Sequence, residues 1–179
     1  MDDYDDSELV RLAGAGDEAA FERLFEKYYL MVYRLAYKWC GQKQTAEDIA
    51  QETFVKVVRK LQTFGYKSTF KTWLYRIVIN TAKDFGRRRD GRQSLETALV
   101  VEQLAHNPAS EPEDTVAGAH IMAMLDKLPA KQKQAVLMVC GEGLSHKEAA
   151  RILDCMETTI SWRVFQARKK LKKILEQGK

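Results

Sequence analysis

A chain of 179 residues, 45% hydrophobic and 30% charged, has room for one or two globular domains, and its formal net charge is a modest +4. No apolar run approaches the roughly 20 residues of a membrane-spanning helix, and the acidic start (Asp2, Asp3, Asp5, Asp6) lacks the apolar stretch of a signal peptide, so no membrane insertion is expected. Three scattered cysteines (Cys40, Cys140, Cys155) fit free thiols in a reducing cytoplasm, and His146 between two of them matches no common zinc spacing, so neither metal nor cofactor is expected.

Apolar residues recur at helical spacing and strand-like alternation is nearly absent, which predicts an all-α fold. The first helix is expected from about Ser7 to Ala13, ended by Gly14 and Gly16. A second starts near Asp17, carries Phe21, Leu24, Phe25, Tyr28, Val32, Leu35, Ala36 and Trp39 toward a core, and stops at Gly41. Acids dominate as far as Leu30, with only Arg11, Arg23 and Lys27 opposing them. The third helix is expected from about Thr45 to Leu61, with Thr45 as its cap and Asp48 three residues on. Phe54, Val57, Val58 and Leu61 make its core face, while Asp48, Gln51, Glu52 and Val55 share another. That mixed acid and amide face suits either a basic protein helix or plain solvent.

A loop from Gln62 to Ser68 precedes a fourth helix, expected from about Thr69 to Arg88. Trp73, Arg76, Asn80, Lys83 and Arg87 fall on one stripe of it. Cations hold phosphates, and aromatic faces and amides meet unstacked bases, so this stripe suits a nucleic-acid strand. Phe64, Tyr66 and Phe70 flank the same surface, and Trp73 fits the core as well as it fits DNA. The run Arg87, Arg88, Arg89 reads as phosphate contact at the helix end. Between Lys56 and Arg92 bases far outnumber acids (Asp84, Asp90), whereas Gln93 to Asp126 contains neither lysine nor arginine. Two positive blocks separated by a negative one suggest two DNA-facing surfaces and an acidic connector. Pro108, Pro112, Asn107 and Asp90-Gly91 mark residues 90–115 as that linker, with a helical stretch around Leu95 to Leu104.

The second domain is expected from residue 116, with Pro129 opening a helix in its first turn. Ser145 and Glu148 make a capping pair, Ala149, Ala150, Ile152 and Leu153 a short amphipathic helix, and Asp154-Cys155 a break. Ile160, Val164, Ala167, Leu171 and Ile174 then define the buried face of another helix. This is a helix-turn-helix whose second helix suits a DNA major groove. The plain alternative is a helical hairpin with a basic tail. No Gly-rich phosphate loop, H-E-x-x-H or G-x-S-x-G is present, and no paired acid and base stands out, so no catalytic residue is assigned.

The runs from Asp48 to Phe54, Phe70 to Arg76 and Asn80 to Asp84, followed by the helix-turn-helix, together resemble a bacterial RNA polymerase sigma factor of the extracytoplasmic function subfamily. The resemblance implies two small helical domains joined by an acidic flexible linker: residues 1–89 (region 2), 90–115 (linker) and 116–179 (region 4). It implies binding to core RNA polymerase (β′ clamp and β subunit) through Asp48, Gln51, Glu52 and Val55. It implies capture of a flipped −10 base by the loop, with Gln62, Thr63, Phe64, Lys67 and Ser68 as pocket candidates. Phe70, Trp73, Arg76, Asn80, Lys83, Arg87 and Arg88 would serve the melted strand. Reading of the −35 duplex would fall to Thr158, Thr159, Ser161, Trp162, Arg163, Phe165, Gln166, Lys169 and Lys170. Arg163 and Arg168 fit phosphate contact or an internal cap equally. Ser161, Trp162 and Gln166 depart from the family pattern: the guanine-pairing arginine is lost and Gln prefers adenine. In the family the acidic linker threads near the polymerase active-site cleft. A cytoplasmic location and a cognate anti-sigma factor are also implied. A stand-alone helix-turn-helix repressor or activator is the runner-up, and a nucleic-acid enzyme, which needs a carboxylate cluster for metal, a distant third.

Overall fold

A computed structural model describes residues 5–96 and 116–177, and among them all regular structure is helical. The order is α1 (Asp6–Gly14), α2 (Glu18–Cys40), α3 (Lys43–Lys60), a 3-10 turn (Leu61–Thr63), α4 (Phe70–Glu96), α5 (Val116–Asp126), α6 (Ala130–Val136), a π turn (Leu137–Gly141), α7 (His146–Leu153) and α8 (Glu157–Gln177). The chain divides into two compact units, Met1–Gly91 and Arg92–Lys179.

In the first unit α2 begins where Asp17 accepts a hydrogen bond from the Ala20 amide (2.9 Å) and ends at Gly41, whose φ of 71° supplies the left-handed turn. The same local reasoning misplaces the start of α3. Thr45 does not cap it; the helix begins at Lys43, and the Thr45 hydroxyl donates to the Gln42 side chain instead (3.1 Å). Leu24, Val32 and Leu35 of α2, Ile49, Phe54 and Val57 of α3, and Leu74, Val78 and Ile79 of α4 form the core. Each such side chain contributes about 1.5–3 kcal/mol on burial.

α1 packs on α2 and on the 3-10 turn. Asp6 fastens it, accepting from Lys27 (2.7 Å) and from the buried Tyr28 hydroxyl. Burial works to raise the Asp6 pKa, but the Lys27 and Tyr28 hydrogen bonds and the Lys27 charge hold it below the ordinary value. Burial and that carboxylate push the Tyr28 phenol well above its usual range.

α4 runs on to Glu96, so residues 90–96, expected to open the linker, are helical. Gly91 costs a helix only about 1 kcal/mol relative to Ala, and the good helix formers Arg92, Gln93, Leu95 and Glu96 offset it. The remainder of the expected linker, including most of the Leu95 to Leu104 stretch, lies outside the described residues.

In the second unit Pro129 stands at the N-cap, one place before the expected position, where its carbonyl accepts from the Gln132 (2.8 Å) and Lys133 (3.0 Å) amides. The α7 capping box forms as expected: the Glu148 amide donates to the Ser145 hydroxyl (3.2 Å) and the Ser145 amide to the Glu148 carboxylate (2.9 Å). Asp154 adopts the left-handed conformation (φ 52°) that turns the chain from α7 into α8. Ala149, Ile152 and Leu153 then meet Ile160, Val164 and Ala167 in a core completed by Leu125, Leu128, Ala135 and Met138. Among the described residues no disulfide joins the three cysteines. Among the described residues no helix is long and apolar enough to cross a membrane.

Candidate protein and nucleic-acid interfaces

On α3, Asp48, Gln51 and Val55 are exposed as expected. Val58 joins them at 54% exposure, whereas Phe54, Val57 and Leu61 hold the core without it. The i, i+3/i+4 pattern places Val58 near Phe54, but the helix turns far enough to carry it off the buried side. Glu52 differs from its neighbours. Its carboxylate pairs with Lys56 (3.0 Å) and with Arg88 of α4 (3.4 Å), and Lys56 in turn donates to the buried Thr81 hydroxyl (3.1 Å) and to Asp84 (3.4 Å). Glu52 is thus part of a four-charge strut between α3 and α4.

Beyond α3 the loop aromatics pack on one another. Phe64 lies 5.2 Å from Trp73, 6.2 Å from Phe70 and 4.8 Å from Tyr66 between ring centres, and Phe70 lies 5.8 Å from Trp73. Phe64 and Phe70 are buried, which corrects their reading as surface residues: they shape the loop and leave contact to others. Trp73 is half-buried against this nest, so core and surface readings both hold for it. Gln62, Thr63, Lys67, Arg76, Asn80, Arg87 and Arg88 are exposed, and Ser68 and Lys83 half-buried. Thr63 donates to the Lys60 carbonyl (2.7 Å) and Ser68 to the Thr69 carbonyl (3.3 Å), so both hydroxyls are committed locally.

Tyr66 was absent from the pocket candidates. Its ring is 55% exposed, and its φ of 52° is a conformation that bulky residues seldom adopt. An observed left-handed non-glycine residue at an exposed loop tip points to a held functional geometry. The sequence signal was present in Gly65-Tyr66, a turn pair with the aromatic at the tip, but periodicity is silent in loops.

Along α8, Thr158, Ser161, Lys169 and Lys170 are exposed, with Trp162 at 58% and Phe165 at 62%. Thr159 and Gln166 are half-buried. Arg163 donates to the Cys155 sulfur (3.6 Å), which favours the internal of its two readings, while Arg168 is exposed. The Ser161 hydroxyl donates to the Glu157 carbonyl (3.2 Å) and meets the His146 Nδ1 (2.8 Å). Sequence spacing alone gives His146, on α7, no role beyond an unmatched metal ligand.

Residues 24–92 match the Sigma-70 region 2 family and residues 119–171 the Sigma-70 region 4 family. The ECF RNA polymerase sigma factor SigE of Mycolicibacterium smegmatis is 36% identical over 169 residues, 89% of this chain; the chain spans 64% of that protein's length. The RNA polymerase sigma-H factor of Pseudomonas aeruginosa is 35% identical over 181 residues, 96% of this chain and 94% of that protein. The chain is an ECF sigma factor of the sigma-70 family. Its fold resembles that of the sigma factor RpoE of Bartonella quintana, solved in complex with the anti-sigma factor NepR, with a TM-score of 0.74 and 26% identity over 87% of this chain and 96% of that one. The stand-alone helix-turn-helix regulator is accordingly not favoured. Sigma factors of this family are regulatory, non-catalytic proteins.

Proposed function

We propose that this sigma factor docks on core RNA polymerase through the exposed Asp48, Gln51, Val55 and Val58 edge of α3, with Glu52 shared between polymerase and the Arg88 strut. The loop and α4 engage melted −10 DNA: Tyr66 stacks on a displaced base, Gln62, Thr63, Lys67 and Ser68 border it, and Trp73, Arg76, Asn80, Lys83, Arg87 and Arg88 follow the strand. α8 enters the −35 major groove with Thr158, Trp162, Phe165 and Gln166 toward base edges and Lys169 and Lys170 toward phosphates. The two families fall in region 2 and region 4 order, supporting domains near residues 1–89 and 116–179 with a linker between.

One observation carries the reading furthest. A single small unit presents a mixed polar and apolar helix edge and a cationic aromatic stripe on adjacent helices, tied together by the Glu52–Arg88 pair. A duplex-binding regulator has no use for the first face. The chain itself carries out no covalent chemistry and works in the cytoplasm. An anti-sigma factor is the expected antagonist, since the Bartonella protein of similar fold was solved with one. The test is transcription by core polymerase on a promoter library with and without the chain, with transcript starts mapped. Starts that appear only with the chain, each preceded by a shared −35 and −10 pair, support the proposal; tight duplex binding without new starts refutes it.

A further inference from the structure

Ser161 stands on the exposed face of α8 but is not free to read a base. Its hydroxyl lies 3.2 Å from the Glu157 carbonyl and 2.8 Å from the His146 Nδ1. In the tautomer whose Nδ1 accepts the hydroxyl proton, Nε2 carries the ring N–H. The contact holds the ring. The half-buried imidazole is pinned at the start of α7, beside the exposed Ser161, and Nε2 has no hydrogen-bond partner among the described residues. In a helix-turn-helix the recognition helix enters the groove and the helix before it crosses the sugar-phosphate backbone. A side chain that begins the first helix and touches the recognition helix sits at the rim where those two contacts meet.

We propose that His146 is a phosphate contact of the −35 duplex, oriented by Ser161, so that one side chain joins backbone positioning to the register of the reading helix. This rests on the −35 reading of α8 given above. With Nδ1 accepting from Ser161, the Nε2–H donates to the phosphate oxygen. The short Ser161 and the ring behind it would together place a hydrogen-bond donor at the groove edge.

The experiment uses the full chain and the −35 duplex it enriches from a randomised library. Each phosphate of that duplex is replaced in turn by a neutral methylphosphonate, and binding is measured for wild type, His146→Ala and Ser161→Ala. A hydrogen bond to a charged group is worth about tenfold in affinity. We expect one phosphate whose neutralisation weakens wild type about tenfold and leaves His146→Ala nearly unchanged, with Ser161→Ala showing an intermediate coupling. Thermal melting of each variant separates this from loss of fold. If His146→Ala and Ser161→Ala lower the melting temperature alike and no phosphate changes its effect in either, His146 is only a staple between α7 and α8 and the proposal is overturned. If the wild-type chain enriches no duplex, the −35 reading itself falls, and the proposal with it.

Discussion

The two units use the same residue types in opposite ways. In the first, the aromatics beside the proposed DNA surface are stacked inward: Phe64 and Phe70 are buried, Trp73 leans on them, and Tyr66 stands out. In the second, Trp162 and Phe165 are exposed on α8. The charges follow suit. Glu52, Lys56, Asp84 and Arg88 form a closed strut in the first unit, while Lys169 and Lys170 of the second are exposed. The difference matches two forms of DNA. A single displaced base needs a shaped, rigid pocket, and rigidity comes from packing behind the contact residue. A duplex edge is already rigid, so a smooth helix face with outward side chains suffices.

Truncations break the comparison most strongly. Phe70→Ala is expected to destabilise the first unit by about 3–5 kcal/mol, as buried Phe truncations do. Phe165→Ala should stay within about 0.5 kcal/mol of wild type because its ring is in solvent. Denaturant unfolding of the two variants measures both; equal losses would mean that Phe165 is held by packing and that the contrast is wrong.

Charge reversal sharpens it at the next scale. Glu52→Lys places a third cation beside Lys56 and Arg88 and is expected to cost about 1–3 kcal/mol of stability. Asp48→Lys, four residues earlier and exposed, should leave stability unchanged while weakening co-purification with core polymerase. A double reversal of both residues therefore mixes docking with folding, and the single Asp48→Lys variant is the cleaner probe. Unimpaired core binding by Asp48→Lys would remove this edge of α3 from the interface.

Base reading is of comparable size and confined to the second unit. A good bidentate contact is worth about 1–3 kcal/mol of discrimination. Gln166→Ala should relax one −35 position, an adenine, whereas Lys169→Ala should weaken all duplexes alike and flatten the salt dependence. Selection on randomised duplex at fixed salt distinguishes them. An unaltered base preference in Gln166→Ala would reassign that residue to backbone contact and leave Trp162 and Phe165 as readers.

The smallest effect is a pH dependence. Asp6 has a pKa lowered in the folded chain, so the stability it adds is present above its unfolded pKa and lost as pH falls through the folded value. Stability of wild type relative to Asp6→Asn should be flat from neutral pH down to about pH 5 and shrink in more acid solution. A difference that grows on acidification would contradict the α1 clasp.

What was legible in the sequence was what is local. Asp17, Gly41, the Ser145–Glu148 box and Asp154 announce helix ends because caps act over three or four residues. The buried stripe of α8 was equally plain, since Ile160, Val164 and Ala167 keep helical spacing. What escaped depends on partners distant in sequence. Glu52 reads as one more residue of the α3 docking face because Arg88 lies 36 positions away. Val58 and Val57 are indistinguishable by type, and only tertiary packing decides which is buried. His146 needed the fold of α7 on α8 to meet Ser161, and Tyr66 declares itself only through a backbone angle.

The most direct test of the central claim, that the first unit handles an unpaired base and the second a duplex, is footprinting of a polymerase–promoter complex carrying Tyr66→Gly. Glycine suits the left-handed position, so the change relieves strain and spares the fold while removing the exposed ring. Permanganate reactivity of −10 thymines and nuclease protection of the −35 duplex are read on the same complex. The account expects −35 protection to be retained and −10 reactivity to fall severalfold, in a variant at least as stable as wild type. Parallel loss of both signals, or undiminished −10 reactivity, would contradict it.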